Sequence, residues 1–137
     1  MIITFSSYVF LSAIGITPST IMETSKRFTL LNPSYTGIDF NNKIKDTKEQ
    51  NILLYANFYG GAGLGVGDFN NDGLQDLYFA GNMVPDKLYL NQGNLTFKDV
   101  TETSGIIDDG GWSTGVTIAD VNNDGNQDIY VSRELYD

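Results

Sequence analysis

Residues 68–76 read D-F-N-N-D-G-L-Q-D and residues 120–128 read D-V-N-N-D-G-N-Q-D, seven identities in nine at an offset of 52. A repeat at that period restricts the fold, because each unit is one supersecondary element that buries its apolar face only against a neighbour. Each nonamer sets oxygen-bearing side chains at positions 1, 3, 5 and 9 and Gly at position 6. Alternate residues of one tight loop can point at a common centre, and a glycine permits the sharp turn that a Cβ would obstruct. A hard cation such as calcium takes six to eight oxygens from carboxylates, amide and backbone carbonyls and water. Position 7 adds a backbone carbonyl. The candidate ligands are therefore Asp68, Asn70, Asp72, the Leu74 carbonyl and Asp76, then Asp120, Asn122, Asp124, the Asn126 carbonyl and Asp128. Two calcium sites are expected.

Two other readings of the nonamer explain less. A polar hairpin turn accounts for Asn71, Asp72 and Gly73, since N-D-G is a strong turn signal. It leaves Asp68 and Asp76 unexplained beside strands, where Asp is disfavoured. An EF-hand loop also begins D-x-N-x-D-G, but needs Glu at position 12 and helices on both sides. Position 12 is Phe79 in one copy and Val131 in the other, and the flanks are β-patterned.

Around the nonamers the chain reads as short strands. Leu64 and Val66 alternate with Gly63, Gly65 and Gly67, a strand with glycine on one face. Glycines so placed mark close backbone approach, as at the crowded centre of a radial array. Strands are expected over 74–80, 86–91 and 95–101, the last two joined by a turn at Gln92-Gly93-Asn94. Four consecutive antiparallel strands make a sheet of the propeller-blade kind. At the same offset of 52, Gly63 falls on Gly115, Val66 on Ile118, Leu77 on Ile129 and Tyr78 on Tyr130. Upstream, 29–31 and 38–40 are expected as short strands around an Asn32-Pro33 turn, and the aromatic stretch 51–59 is β-favouring.

The run G-x-G-V-G-D-F-N-N-D-G-L-Q-D-L-Y resembles the FG-GAP/VCBS repeat, the blade motif of integrin α-like propellers. The segments G-D-F-N-N-D-G-L-Q-D-L-Y-F-A-G-N-M-V-P-D-K-L-Y-L-N-Q-G and F-K-D-V-T-E-T-S-G-I are similar to the start of ASPIC/UnbV-type, cartilage acidic protein-like propellers, as is 31–40 (L-N-P-S-Y-T-G-I-D-F). The resemblance covers about residues 28–137. It implies an all-β fold, a partial β-propeller of one complete four-stranded blade plus part of a second, with calcium loops between strands, outside the cytoplasm. The ten candidate ligand positions are those that inherit a ligand role from it. The expected organisation is a signal segment at 1–22, a lead-in at 23–58 with a closing strand, a first blade at 59–107 and a truncated second blade at 108–137. Propellers close with about four to eight blades, so the remaining blades are expected in a longer chain.

Composition narrows the chemistry. The 137 residues include no Cys and no His, which removes Ser-His-Asp and Cys-His nucleophiles and the usual zinc sites. The net charge of -9 is concentrated beyond residue 67, where thirteen acidic side chains face three basic ones. That balance argues against a nucleic-acid partner, since phosphate binding needs clustered Lys and Arg. The first sixteen residues are apolar and uncharged. As a helix they would reach about 24 Å, short of the ~30 Å hydrocarbon core, so a secretory signal is expected in preference to a stable membrane span, with a strand as the alternative. Export would place the protein in an extracellular, periplasmic or cell-surface setting.

No catalytic residue stands out, and the expectation is a non-enzymatic binding or structural scaffold with a protein or glycan ligand. The alternative is part of a polysaccharide-active enzyme or a carbohydrate-recognition propeller. Tyr55, Phe58, Tyr59, Tyr78, Phe79, Tyr89 and Phe97 are expected to pack between strands, sugar stacking being the other use of such side chains. Trp112 is expected in the core, and Asn94-Leu95-Thr96 has the form of a glycosylation sequon.

Overall fold

The computed structural model describes residues 28–107 and 111–134. Two compact units divide the chain, Met1–Leu30 and Leu31–Asp137, and every described strand and helical turn belongs to the second. The expected signal segment lies outside the described residues.

Among the described residues, six strands form two antiparallel sheets. β1 (Leu64–Gly67), β2 (Asp76–Phe79), β3 (Lys87–Asn91) and β4 (Phe97–Asp99) follow one another in space as in sequence, and β5 (Trp112–Ala119) pairs with β6 (Asp128–Glu134). The repeat extends to the ladder. Leu64 opposite Phe79, Gly65 opposite Tyr78, Val66 opposite Leu77 and Gly67 opposite Asp76 recur 52 residues on as Val116 opposite Val131, Thr117 opposite Tyr130, Ile118 opposite Ile129 and Ala119 opposite Asp128. The described residues form an all-β fold, with one helical turn, α1 (Pro33–Thr36), and a 3-10 turn at Thr101–Thr103.

The glycine face of β1 lies against β5. A methyl on Gly63 would stand 2.5 Å from the Val116 amide nitrogen, and one on Gly65 would meet Val116 Cγ1 at 2.7 Å and Ile118 Cδ1 at 2.8 Å. The close approach expected from the alternating glycines is therefore made by β5. On the other face of β1, Leu64 and Val66 are half exposed. They are the 52-residue counterparts of Val116 and Ile118, the side chains that enter the glycine face.

The core is aromatic on both faces of β2 and β3, Tyr78 lying on the face of Leu88 and Tyr89 on that of Leu77 and Phe79. Phe58, Tyr78, Tyr89 and Trp112 are buried. Phe58 packs on Trp112 with centroids 5.3 Å apart, and Phe79 meets Tyr89 edge-on at 5.7 Å. Rings in these tilted and edge arrangements gain attraction beyond their buried area.

Three upstream expectations are corrected. Residues 29–31 and 38–40 form no strand. Asn32 caps α1 through Oδ1, which accepts from the Ser34 amide, Pro33 starts the turn and Gly37 ends it in the left-handed region. Residues 38–40 then run over the sheet instead of joining its edge. Phe40 stacks on Phe79 at 4.9 Å, and Asp39 Oδ1 accepts from the Tyr89 hydroxyl at 2.7 Å. Residues 51–59 form turns, because Asn51 Oδ1 accepts the Leu53 amide and offers the backbone an alternative to a ladder.

Candidate functional site

Each nonamer bridges two paired antiparallel strands, one from β1 to β2 and the other from β5 to β6. In each, the ninth residue is a ladder partner, Asp76 of Gly67 and Asp128 of Ala119. The chain reverses through left-handed residues at positions 4 and 6: Asn71 (φ 58°) and Gly73 (φ 86°), Asn123 (φ 60°) and Gly125 (φ 88°). Glycine takes that conformation without penalty, and Asn is the side-chain-bearing residue that tolerates it best.

The loops repeat bond for bond. Asp68 accepts the Asp72 amide on Oδ1 at 3.1 Å and the Gly73 amide on Oδ2 at 2.8 Å, and Asp120 accepts the Asp124 and Gly125 amides at 3.1 and 2.8 Å. Asn70 Oδ1 shares the Asp72 amide, also at 3.1 Å, as Asn122 Oδ1 shares that of Asp124 at 2.9 Å. Position 5 accepts the amide of position 7 at 2.8 Å in both loops, Asp72 from Leu74 and Asp124 from Asn126. Position 9 accepts that of position 2, Asp76 from Phe69 at 2.9 Å and Asp128 from Val121 at 3.0 Å. Oxygens from positions 1 and 3 thus converge on one amide. The Asn126 amide, followed by the Asn122 side chain, holds the Asp124 carboxyl below its usual range.

All the predicted ligand residues lie on these two turns, so the structure groups them by loop as the spacing implied. Among the described residues, no three acidic side chains stand together in a ready metal-holding cluster. The carboxylates bond to their own loop's amides, and a carboxylate oxygen accepting one amide keeps a second lone pair. The donor set of carboxylate, amide and carbonyl oxygens suits a hard cation of the calcium type and no soft metal.

The loops differ at position 9. Asp76 is wholly buried, and its Oδ1 also accepts the Asn91 amide from β3 at 2.8 Å. Asp128 is half-buried and takes the Val121 amide.

A second polar cluster joins the two sheets. Asp86, 1% exposed, accepts the Gly81 amide on Oδ1 at 2.7 Å and, on Oδ2, the Tyr78 hydroxyl at 2.7 Å, the Ser113 hydroxyl at 3.1 Å and Arg133 Nη2 at 3.0 Å. Asn82 Nδ2 donates to the carbonyls of Ser113 and Gly61. Sequence reasoning missed this cluster. Its signal was an arginine inside the alternating strand D-I-Y-V-S-R-E, where a cation at a strand position asks for a partner.

A cleft of 310 Å³ is lined by Tyr55, Phe58, Trp112, Thr114 and Glu134 among others. Phe58 and Trp112 pack on each other there, so the aromatic faces are used in the core. Glu134 is the one acid among the described lining residues.

The FG-GAP-like repeat family matches residues 45–131. The chain belongs to that family. As an FG-GAP-like repeat protein it is similar to cartilage acidic protein 1 of Xenopus tropicalis, 35% identical over 72 residues, which are 53% of this chain and 11% of the relative. It is 34% identical to cartilage acidic protein 1 of Mus musculus over 54% of this chain and 12% of the relative. With that of Homo sapiens it shares 32% over 54% of this chain and 11% of the relative. The match thus spans about a ninth of these curated relatives. No solved structure matches significantly.

Proposed function

We propose that this FG-GAP-like repeat chain is a non-catalytic, calcium-stabilised segment of a β-propeller, acting outside the cytoplasm as a binding or structural scaffold. The observation that carries the reading is the matching bond pattern of the two loops, in each of which side-chain oxygens from positions 1 and 3 converge on the position-5 amide. Asp68, Asn70, Asp72, Asp76 and the Leu74 carbonyl would hold one ion; Asp120, Asn122, Asp124, Asp128 and the Asn126 carbonyl would hold the other. A divalent ion would supply charge neutralisation, since each loop otherwise carries three negative charges between two strands. Extracellular calcium modules have Kd values of about 10⁻⁴–10⁻³ M, which suits a structural ion in a calcium-rich setting.

The propeller reading is supported by the inner strands. Large side chains on one face of β5 enter the glycine face of β1, and β1 carries the same large face towards solvent. Head-to-tail contact of that kind closes into a ring when the rotation allows. No helix of the described residues is long and apolar enough to cross a membrane.

Thermal melting of the whole chain after chelation, with calcium restored to the millimolar range, tests the reading. Calcium at five times its Kd stabilises by about 1 kcal/mol per site, which Asp72→Ala or Asp124→Ala should largely abolish at the altered loop. An unchanged melting curve on adding calcium would overturn it.

A further inference from the structure

Positions 4 and 8 of the nonamer are identical in both copies, Asn71 and Asn123, Gln75 and Gln127, although neither position supplies a ligand in the proposed calcium sites. Two of these side chains reach from one loop to the other. Gln127 Oε1 accepts the Asp68 amide at 2.7 Å, and Asn71 Nδ2 donates to Asn126 Oδ1 at 2.8 Å. Gly67 keeps the path open, because a methyl there would stand 2.5 Å from Gln127 Oε1. The first residue of one loop is thus held by a side chain that, in the other, sits between the position-7 carbonyl and the position-9 carboxylate.

We propose that Gln127, aided by the Asn71–Asn126 bond, is a positioning residue that couples cation binding in the two loops; this rests on the calcium reading of the nonamers. An ion in the second loop fixes Asn126 and Asp128, and with them the Gln127 side chain between. That side chain presents its acceptor to the Asp68 amide, so the first loop begins in place. Linkage makes the effect reciprocal: an ion in the first loop favours the second by the same factor. The two ions repel each other, and salt screens that repulsion to about 3 Å at 1 M. High salt therefore isolates the hydrogen-bonded coupling.

The test is calorimetric titration of the whole chain with calcium in about 1 M KCl. The wild-type chain should bind two ions, the second roughly fivefold tighter than an independent site, at the low end of allosteric couplings. Gln127→Ala combined with Asn71→Gly, which keeps the left-handed backbone and removes the amide, should bind two ions independently. Gln127→Glu keeps an acceptor oxygen facing the Asp68 amide and should retain the coupling. Two independent sites in the wild type, or enhancement that persists in the double variant, would overturn the coupling and leave the calcium reading standing. A wild-type chain that binds no calcium would overturn both. Melting in chelator identifies a variant that has lost its fold, and Asn71→Gly alone, on the exposed turn, then carries the test with the enhancement reduced.

Discussion

Asp86 and Arg133 are 47 residues apart in sequence and meet at 3.0 Å, the carboxylate 1% exposed and the arginine side chain 18%. The acid precedes β3 and the base lies near the end of β6, so this ion pair ties the four-stranded sheet to the two-stranded one. Removing one partner of a buried pair leaves the other charge desolvated. Arg133→Ala should therefore destabilise by about 3 kcal/mol, the low end for such pairs because the arginine is partly solvated. Urea unfolding checks this, and a double-mutant cycle with Asp86→Ala should return a coupling of the same sign.

The glycine face of β1 gives a graded expectation. At Gly63 a methyl would press on the Val116 amide and the Gly115 carbonyl carbon, which are backbone, whereas at Gly65 it meets side-chain ends that can turn. Gly63→Ala should cost about 1–3 kcal/mol and Gly65→Ala less. Equal costs at the two sites would argue against direct stacking of β1 on β5.

Asp76 and Asp128 occupy the same place in the repeat with different surroundings. In chelator, Asp76→Asn should be the more damaging change, by about 1–3 kcal/mol. An amide has one accepting oxygen, whereas Asp76 accepts two backbone amides while fully buried. Chemical denaturation of the two variants side by side measures the difference.

Tyr78 predicts an alkaline limit. Burial first, then its bond to Asp86, raise the phenol well above its ordinary value. A raised folded pKa means the contribution is complete below the unfolded value near pH 10 and is lost as pH climbs towards the folded one. Stability should fall above about pH 10, and Tyr78→Phe should flatten that fall while costing about 1 kcal/mol at neutral pH. Melting temperatures across this range provide the check; burial, then the Asp39 bond, raises Tyr89 as well, so Tyr89→Phe should flatten it further.

Much of the local architecture was legible in the residues. The nonamers located two loops, and the flanking alternation located β1 and β2 with their counterparts 52 residues on, because register in a tight connection follows from the turn itself. The upstream segment was misread for an equally local reason. The expected strand at 38–40 is instead a segment laid on the sheet face, where Phe40 stacks on Phe79.

What the sequence determined by itself is the repeat: which oxygens share a turn, which strand faces are glycine, and which strands pair. Tertiary structure alone decided that Gln127 spans to Asp68, that Arg133 reaches Asp86 and that Asp76 is sealed by β3. The physical reason is range. Turn geometry and pairing are set by neighbours along the chain, whereas a buried charge or a bridging amide acquires its role only when separate sheets are brought together.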